Sequence, residues 1–316
     1  MKKAPAMLGP LTAAIHKSER ARKIVKRPML YLMLLPGIAY FIVFKYFPMW
    51  GLLMAFKNYQ PYLGVWKSEW AGFTHFHRFF TEDTFWVLFK NTFLLAVYDI
   101  IIFFPLTIVL SLLLNEVVKQ RVKNTIQSII YIPHFLSWVV IVGVFHIFFA
   151  SDGLVTDMIT QASGTKIPFL TSPDWFRPLI VIQVIWKEIG WGTIIFLAAL
   201  SGVNPQLYEA GRMDGANRWK LLWHITLPSI RSVIVILFIL RLGNFLDTGF
   251  EQIFLMANAL NREVADVFDT YVYRTGLTQG QFSYSAAVGL FKSAVGLILV
   301  LGANWTAKKL GEEGLY

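Results

Sequence analysis

Six apolar runs, each near the length of a bilayer-crossing helix, alternate along this chain with polar segments that differ sharply in Lys/Arg content. Nothing else in the sequence constrains the fold as tightly. A hydrocarbon core admits only segments whose backbone hydrogen bonds close internally, which means helices or closed barrels. A helix needs about 20 apolar residues to cross, and the runs at 29–50, 87–114, 126–149, 179–200, 233–256 and 284–301 meet or approach that length. The expected fold is therefore all-α, a polytopic membrane protein with six transmembrane helices. A hydrophobic content of 56% over 316 residues is too high for a soluble domain. The 16% aromatic content fits the Trp and Tyr belts at membrane–water interfaces.

The net charge of +10 resembles that of a nucleic-acid binder, but the basic residues are divided among short segments beside the apolar runs. In a membrane protein that distribution sets topology. Residues 1–28 form a basic tail with eight Lys/Arg against Glu19, and no small-residue cleavage site follows the first run. The 116–123 segment holds Lys119, Arg121 and Lys123, the 208–231 segment is basic, and Lys308 and Lys309 stand in the last segment, 306–316. These alternate correctly, so both termini and the 205–230 loop are expected in the cytoplasm, with residues 29–305 as the membrane domain. On the other side, Phe76, Phe79 and Phe80 recur at helical spacing, which predicts an amphipathic helix at the interface.

The 205–230 loop is a polar island between two apolar runs. It reads Tyr208-Glu-Ala-Gly-Arg-Met-Asp-Gly-Ala-Asn217 and continues through Arg218-Trp-Lys-Leu-Leu-Trp-His-Ile-Thr-Leu-Pro228. Its residues predict a short helix after Asn204-Pro205, a turn at Gly215, where glycine tolerates positive φ, and a second helix with Trp219, Leu222, Trp223 and Ile225 on its apolar side. Glu209-Ala-Gly-Arg-Met-Asp-Gly-Ala216 followed by Ile225-Thr-Leu-Pro228 resembles the EAA loop of permease subunits in binding-protein-dependent ABC importers. Gly211 departs from the family's usual Ala, which is expected to soften the first helix by roughly 1 kcal/mol. Further segments, among them Tyr131-Ile-Pro-His-Phe-Leu-Ser-Trp138, Trp186-Lys-Glu-Ile-Gly-Trp191 and Gly249-Phe-Glu-Gln-Ile-Phe254, are similar to polysaccharide-type sugar permeases of the maltose-type superfamily. The similarity covers all but the first 28 residues or so.

The resemblance implies one transmembrane subunit of an importer in a bacterial plasma membrane, taking up a complex oligosaccharide or polysaccharide fragment. It implies pairing with a second, related permease, two ABC ATPase subunits and an extracytoplasmic solute-binding protein, with membrane lipid around the spans and no nucleic acid. On the loop it assigns the ATPase contact to Glu209, close packing to Ala210 and Ala216, the turn to Gly215, and rim charge to Arg212, Asp214 and Arg218, with Gly211 inside the same helix. The chain carries no Gly-x-x-x-x-Gly-Lys-[Ser/Thr] phosphate loop, so ATP and Mg are expected on the separate ATPase and no cofactor on this chain. With no Cys and no His-Glu-x-x-His, neither thiolate nor metal-protease chemistry is in view.

Polar groups inside apolar spans are costly, so their positions are informative. Gln183, Trp186 and Lys187 share one helical face of the fourth run, and Asn244, Asp247 and Glu251 one face of the fifth, with Arg241 beside them. Transporter sites commonly lie at such depths, so these six residues are candidate pathway-lining groups. The competing reading makes Lys187, Glu188, Arg241, Asp247 and Glu251 structural ion pairs, with Asp99 either lining the path or partnering a lysine on a neighbouring helix. Two other functions stand beside the sugar importer: a permease of this architecture for a non-sugar solute, and an integral membrane glycan-processing enzyme.

Overall fold

The computed structural model describes residues 28–311 and residue 314, and the basic tail at 1–27 and most of the last five residues lie outside the described residues. Among the described residues, five helices are long and apolar enough to cross a membrane: Leu32–Phe56, Thr84–Asn115, Trp138–Ser163, Pro173–Ser201 and Phe282–Lys309. Arg218–Ser229 and Arg231–Gly243, which meet at 60°, make a sixth when the bent pair is counted as one span. Four of the six expected runs thus become spans near their predicted positions. The third and fifth do not.

The run at 126–149 is not one helix. Its first residues belong to Gln120–Tyr131, whose Gln, Arg, Lys and Asn side chains keep that helix from entering lipid. Pro133 then lacks an N–H and closes a tight turn, Ile132–Phe135. Ser137 starts the true span by accepting a hydrogen bond from Val140 N at 3.4 Å. That span runs Trp138–Phe149, turns at 150–153 and resumes as Leu154–Ser163, about a dozen residues later than expected.

The run at 233–256 breaks in the middle. Its helix ends at Gly243 and another begins only at Phe250. Between them lie Asn244, Asp247, Thr248 and Gly249, all poor helix formers, and Gly249 takes φ +83°. Asn244 spends its side-chain amide on the carbonyl of Leu240. Asn244, Asp247 and Glu251 therefore do not share a helical face, contrary to the expectation from their spacing.

Ahead of the second span the chain is pinned to the sixth. Tyr59 N donates to Ser283 Oγ at 2.8 Å, and a two-residue-per-strand antiparallel pairing joins Lys57–Asn58 to Glu69–Trp70. The expected amphipathic helix is Thr74–Thr81, with Phe79 buried against Tyr284 and Phe291 and Phe80 left exposed. Burial disfavours the Glu82 carboxylate, but hydrogen bonds from Tyr284 and Arg78, each 2.7 Å, outweigh it and hold its pKa below the usual carboxylate range. The first span differs from all the others: its residues from Leu32 to Trp50 are exposed on this chain, and it meets the bundle through Phe47–Phe56 against the sixth span.

Candidate functional site

Two regions carry the polar chemistry. The first is the 205–230 loop. Asn204 caps the helix Pro205–Met213, its Oδ1 accepting from Gln206 N at 3.0 Å, with Pro205 pre-set for the first turn. Gly215 at φ +75° reverses the chain, and Ala216 N closes back on Gly211 O at 2.9 Å. Asn217 caps the next helix by accepting from Lys220 N at 2.9 Å, and Tyr208 Oη meets Thr226 Oγ1 at 3.1 Å to lock the two arms. Gly211 has a packing reason: a β-carbon there would lie 2.7 Å from Leu221 Cδ2 and 3.0 Å from Ile225 Cδ1. The missing methyl lets the second arm close on the first, which offsets the lost helix propensity.

The loop presents an exposed face with Glu209, Ala210, Arg212, Asp214, Gly215 and Arg218, while Gly211 and Ala216 are half-buried against the second arm. The second arm buries Leu221 rather than the tryptophans, so Trp219 and Trp223 are exposed along with Met213. Of the side expected to be apolar, Trp219 and Trp223 face outward. Arg218 reaches Glu116 at 3.9 Å, both exposed. Such a pair is worth little energetically, but it places the 116–123 segment beside the loop.

The second region lies midway along the second span. A cavity of about 430 Å³ opens between the second, fourth and fifth spans, with Trp138 at its edge. Its walls are mostly apolar, and Asp99, Arg241, Asn244, Asp247 and Gln252 supply the polar groups. Asp99 sits at the middle of the 32-residue second span, on a widened π turn just ahead of Pro105. Arg241 Nε and Nη2 donate to its two carboxylate oxygens, and the guanidinium lies 4.5 Å from the centre of the Phe103 ring.

The fourth span uses its polar residues differently. Gln183 is fully buried, accepting from Gln252 Nε2 at 2.9 Å, and Gln252 also donates to Ile180 O at 3.0 Å. Lys187 Nζ donates to His134 O at 2.7 Å and Leu136 O at 2.6 Å, the carbonyls freed by the Pro133 turn. Glu188 Oε2 meets His134 Nδ1 at 2.8 Å, and its Oε1 lies 3.7 Å from Lys187 Nζ. His134 stacks on Trp191 at 4.3 Å with the rings 4° from parallel, and Trp191 and Phe135 remain exposed. This is a half-open aromatic and carboxylate surface of the kind that suits sugar C–H faces and hydroxyls.

Of the six candidate pathway residues, Asn244 and Asp247 line the cavity. Gln183 and Lys187 are buried in contacts within the chain, Trp186 is partly exposed against Phe145 at 6.0 Å, and Glu251 is exposed at the start of Phe250–Met256. The ion-pair reading describes Arg241 with Asp99, Lys187 with Glu188, and Asp247, which lies 3.8 Å from Lys292. Glu188, His134 and Trp191 escaped the sequence reasoning as a group. Their signal was a carboxylate and a tryptophan one turn apart in an apolar run.

Comparison with known proteins agrees with this picture. The family described as binding-protein-dependent transport system inner membrane component matches residues 103–312. The chain is 55% identical to the polygalacturonan/rhamnogalacturonan transport system permease protein YteP of Bacillus subtilis (strain 168), with the whole of both chains covered. It is 57% identical to Protein LplB of the same organism over 91% of each chain. A chain in the crystal structure of a bacterial alginate ABC transporter, in complex with alginate pentasaccharide-bound periplasmic protein, superposes with a TM-score of 0.86 at 39% identity, covering 93% of this chain and 99% of that one. A second crystal structure, of a transporter involved in the import of the acidic polysaccharide alginate, matches equally well.

Proposed function

This chain belongs to the family of binding-protein-dependent transport system inner membrane components, and we propose that it imports an oligosaccharide or polysaccharide fragment rich in uronic acids. The substrate class is supported by relatives named for polygalacturonan and alginate. The chain is a multi-pass membrane transport subunit rather than an enzyme. In our reading it pairs with a related second permease and receives its substrate from an extracytoplasmic binding protein. Two ATPase subunits bind and hydrolyse ATP with Mg. Both termini and the 205–230 loop face the cytoplasm, a placement favoured by the Lys/Arg distribution and by the proximity of Glu116 to Arg218.

One observation carries the mechanism: a capped helix, a glycine turn and a second helix held rigidly to it stand clear between the fourth and fifth spans. A rigid lever needs such internal locking, since a floppy loop transmits no displacement. ATP-driven approach of the two ATPases would push the exposed face bearing Glu209, Met213 and Trp219. The fourth and fifth spans, one on each side of the lever, would then reorient about the mid-membrane cavity and switch its access from one side of the membrane to the other.

The test is co-purification of the cognate ATPase with wild-type chain and with the double variant Glu209→Ala, Gly215→Pro. Proline fixes φ near −65° and cannot take the +75° of the turn. Loss of ATPase and of substrate-stimulated hydrolysis, with membrane insertion intact, is the expected result. Undiminished binding and hydrolysis would remove the loop from the coupling path.

A further inference from the structure

We propose that Arg241 selects the substrate's charge: it takes a uronate carboxylate, and Asp99 is the resident counter-ion that this carboxylate displaces. The inference rests on the oligosaccharide-import reading above and adds to it the side chain that distinguishes acidic from neutral sugars.

Among the described residues, Lys187, Lys292 and Arg241 are cations within the spans that pair with carboxylates, and their surroundings separate them. Lys187 is 8% exposed, and its ammonium is consumed by two backbone carbonyls as well as Glu188. Lys292 is 19% exposed and shared between Asp269 and Asp247. Arg241 is 34% exposed, its partner Asp99 is 30% exposed, and both line the cavity. Of these three cations, Arg241 is the one that lines the cavity between the second, fourth and fifth spans.

The chemistry of exchange is favourable. A guanidinium binds a carboxylate through two parallel N–H donors, and Arg241 already displays that geometry toward Asp99 through Nε and Nη2. A uronate C6 carboxylate presents the same two oxygens at the same spacing, so the swap replaces one bidentate pair by another and leaves no unpaired cation. Placing an unpaired carboxylate beside apolar walls is costly, which is why a charged sugar needs a cation along its path and a neutral sugar does not. The displaced Asp99 carboxylate, 30% exposed at the cavity wall, is left to hydration from the cavity when the uronate takes its place. Asn244, exposed on the same cavity wall, carries an amide oxygen that can accept from a sugar hydroxyl. In the absence of Asp99 the arginine would bind acid more tightly and release it more slowly, so the counter-ion also tunes turnover.

The alternative role for the pair is a rivet between the second and fifth spans, and the experiment separates the two. The whole transporter, with its partner permease, ATPase and binding protein, is reconstituted in vesicles, and uptake of trigalacturonate is compared with uptake of its fully methyl-esterified form. The wild type should favour the free acid. Arg241→Gln should lower uptake of the acid by at least about tenfold while changing ester uptake far less, because only the acid uses a charge-assisted pair. Asp99→Asn should lower KM for the acid and lower kcat with it. The exchange variant Asp99→Arg, Arg241→Asp restores a rivet but moves the cation, so acid preference should not return with assembly. If the single variants lose acid and ester alike and the exchange variant recovers both, the pair is only a rivet and the proposal falls. Equal wild-type uptake of both probes overturns the charge-selection role while leaving import intact. Uptake of neither would overturn the import reading on which it rests.

Discussion

The fourth and fifth spans enter and leave the same loop and carry similar polar residues, yet they are built in opposite ways. Pro173–Ser201 is one continuous helix of 29 residues, whereas the fifth crossing bends by 60° at its start and breaks after Gly243. In the fourth span Gln183 and Lys187 point into the bundle and fasten it to the Phe250–Met256 helix and to the turn at Pro133. In the fifth, Asn244 and Asp247 lie where the helix has ended, and they face the cavity. A polar residue inside a membrane helix has to find a partner. In one span the partners come from the packed protein; in the other the backbone itself gives way and exposes the groups. The fourth span acts as a stiff post, and the fifth supplies an irregular wall. Irregular backbone at membrane depth is tolerated only where protein or a cavity surrounds it, and that is its setting here.

This contrast can be broken or sharpened by mutation, read as thermal unfolding of the purified complex in lipid nanodiscs. Lys187→Met should have the largest effect, about 3 kcal/mol, because it removes the donor to two half-buried carbonyls and strips Glu188 of the lysine's charge. A neutral result would mean that the fourth span is not fastened through its lysine. Gly249→Ala should cost about 1–2 kcal/mol, since a β-carbon disfavours φ +83°. If it instead stabilises the complex, the break is an accident of composition rather than a shaped wall. Asp247→Asn should cost below about 0.5 kcal/mol, because Asp247 is 56% exposed and Lys292 keeps Asp269 as its partner. A large loss there would make the fifth span's polar groups rivets like those of the fourth.

The 205–230 loop was readable from sequence almost residue by residue. Its shape depends on contacts a few positions apart: Asn204 with Gln206, Gly211 with Ala216, Asn217 with Lys220. Two features needed the tertiary structure. The second arm packs closely at Gly211, where a β-carbon would lie 2.7 Å from Leu221 Cδ2. Of the second arm's apolar residues, Leu221 is buried while Trp219 and Trp223 stay exposed.

The sequence alone determined that this chain lives in a membrane, that it crosses through helices, and that a rigid polar hairpin of helices separates the last three runs into one and two. Apolar length and local capping suffice for that, because lipid leaves the backbone no alternative to internal hydrogen bonding. Only the tertiary structure decided where two of the runs break and what each intramembrane charge does. Hydropathy averages over a window and does not register Pro133 or the Asn244–Gly249 interruption. No local pattern links Asp99 to Arg241, which are 142 residues apart and meet only because two spans pack side by side. Their pairing, and the cavity it faces, are properties of the assembled bundle.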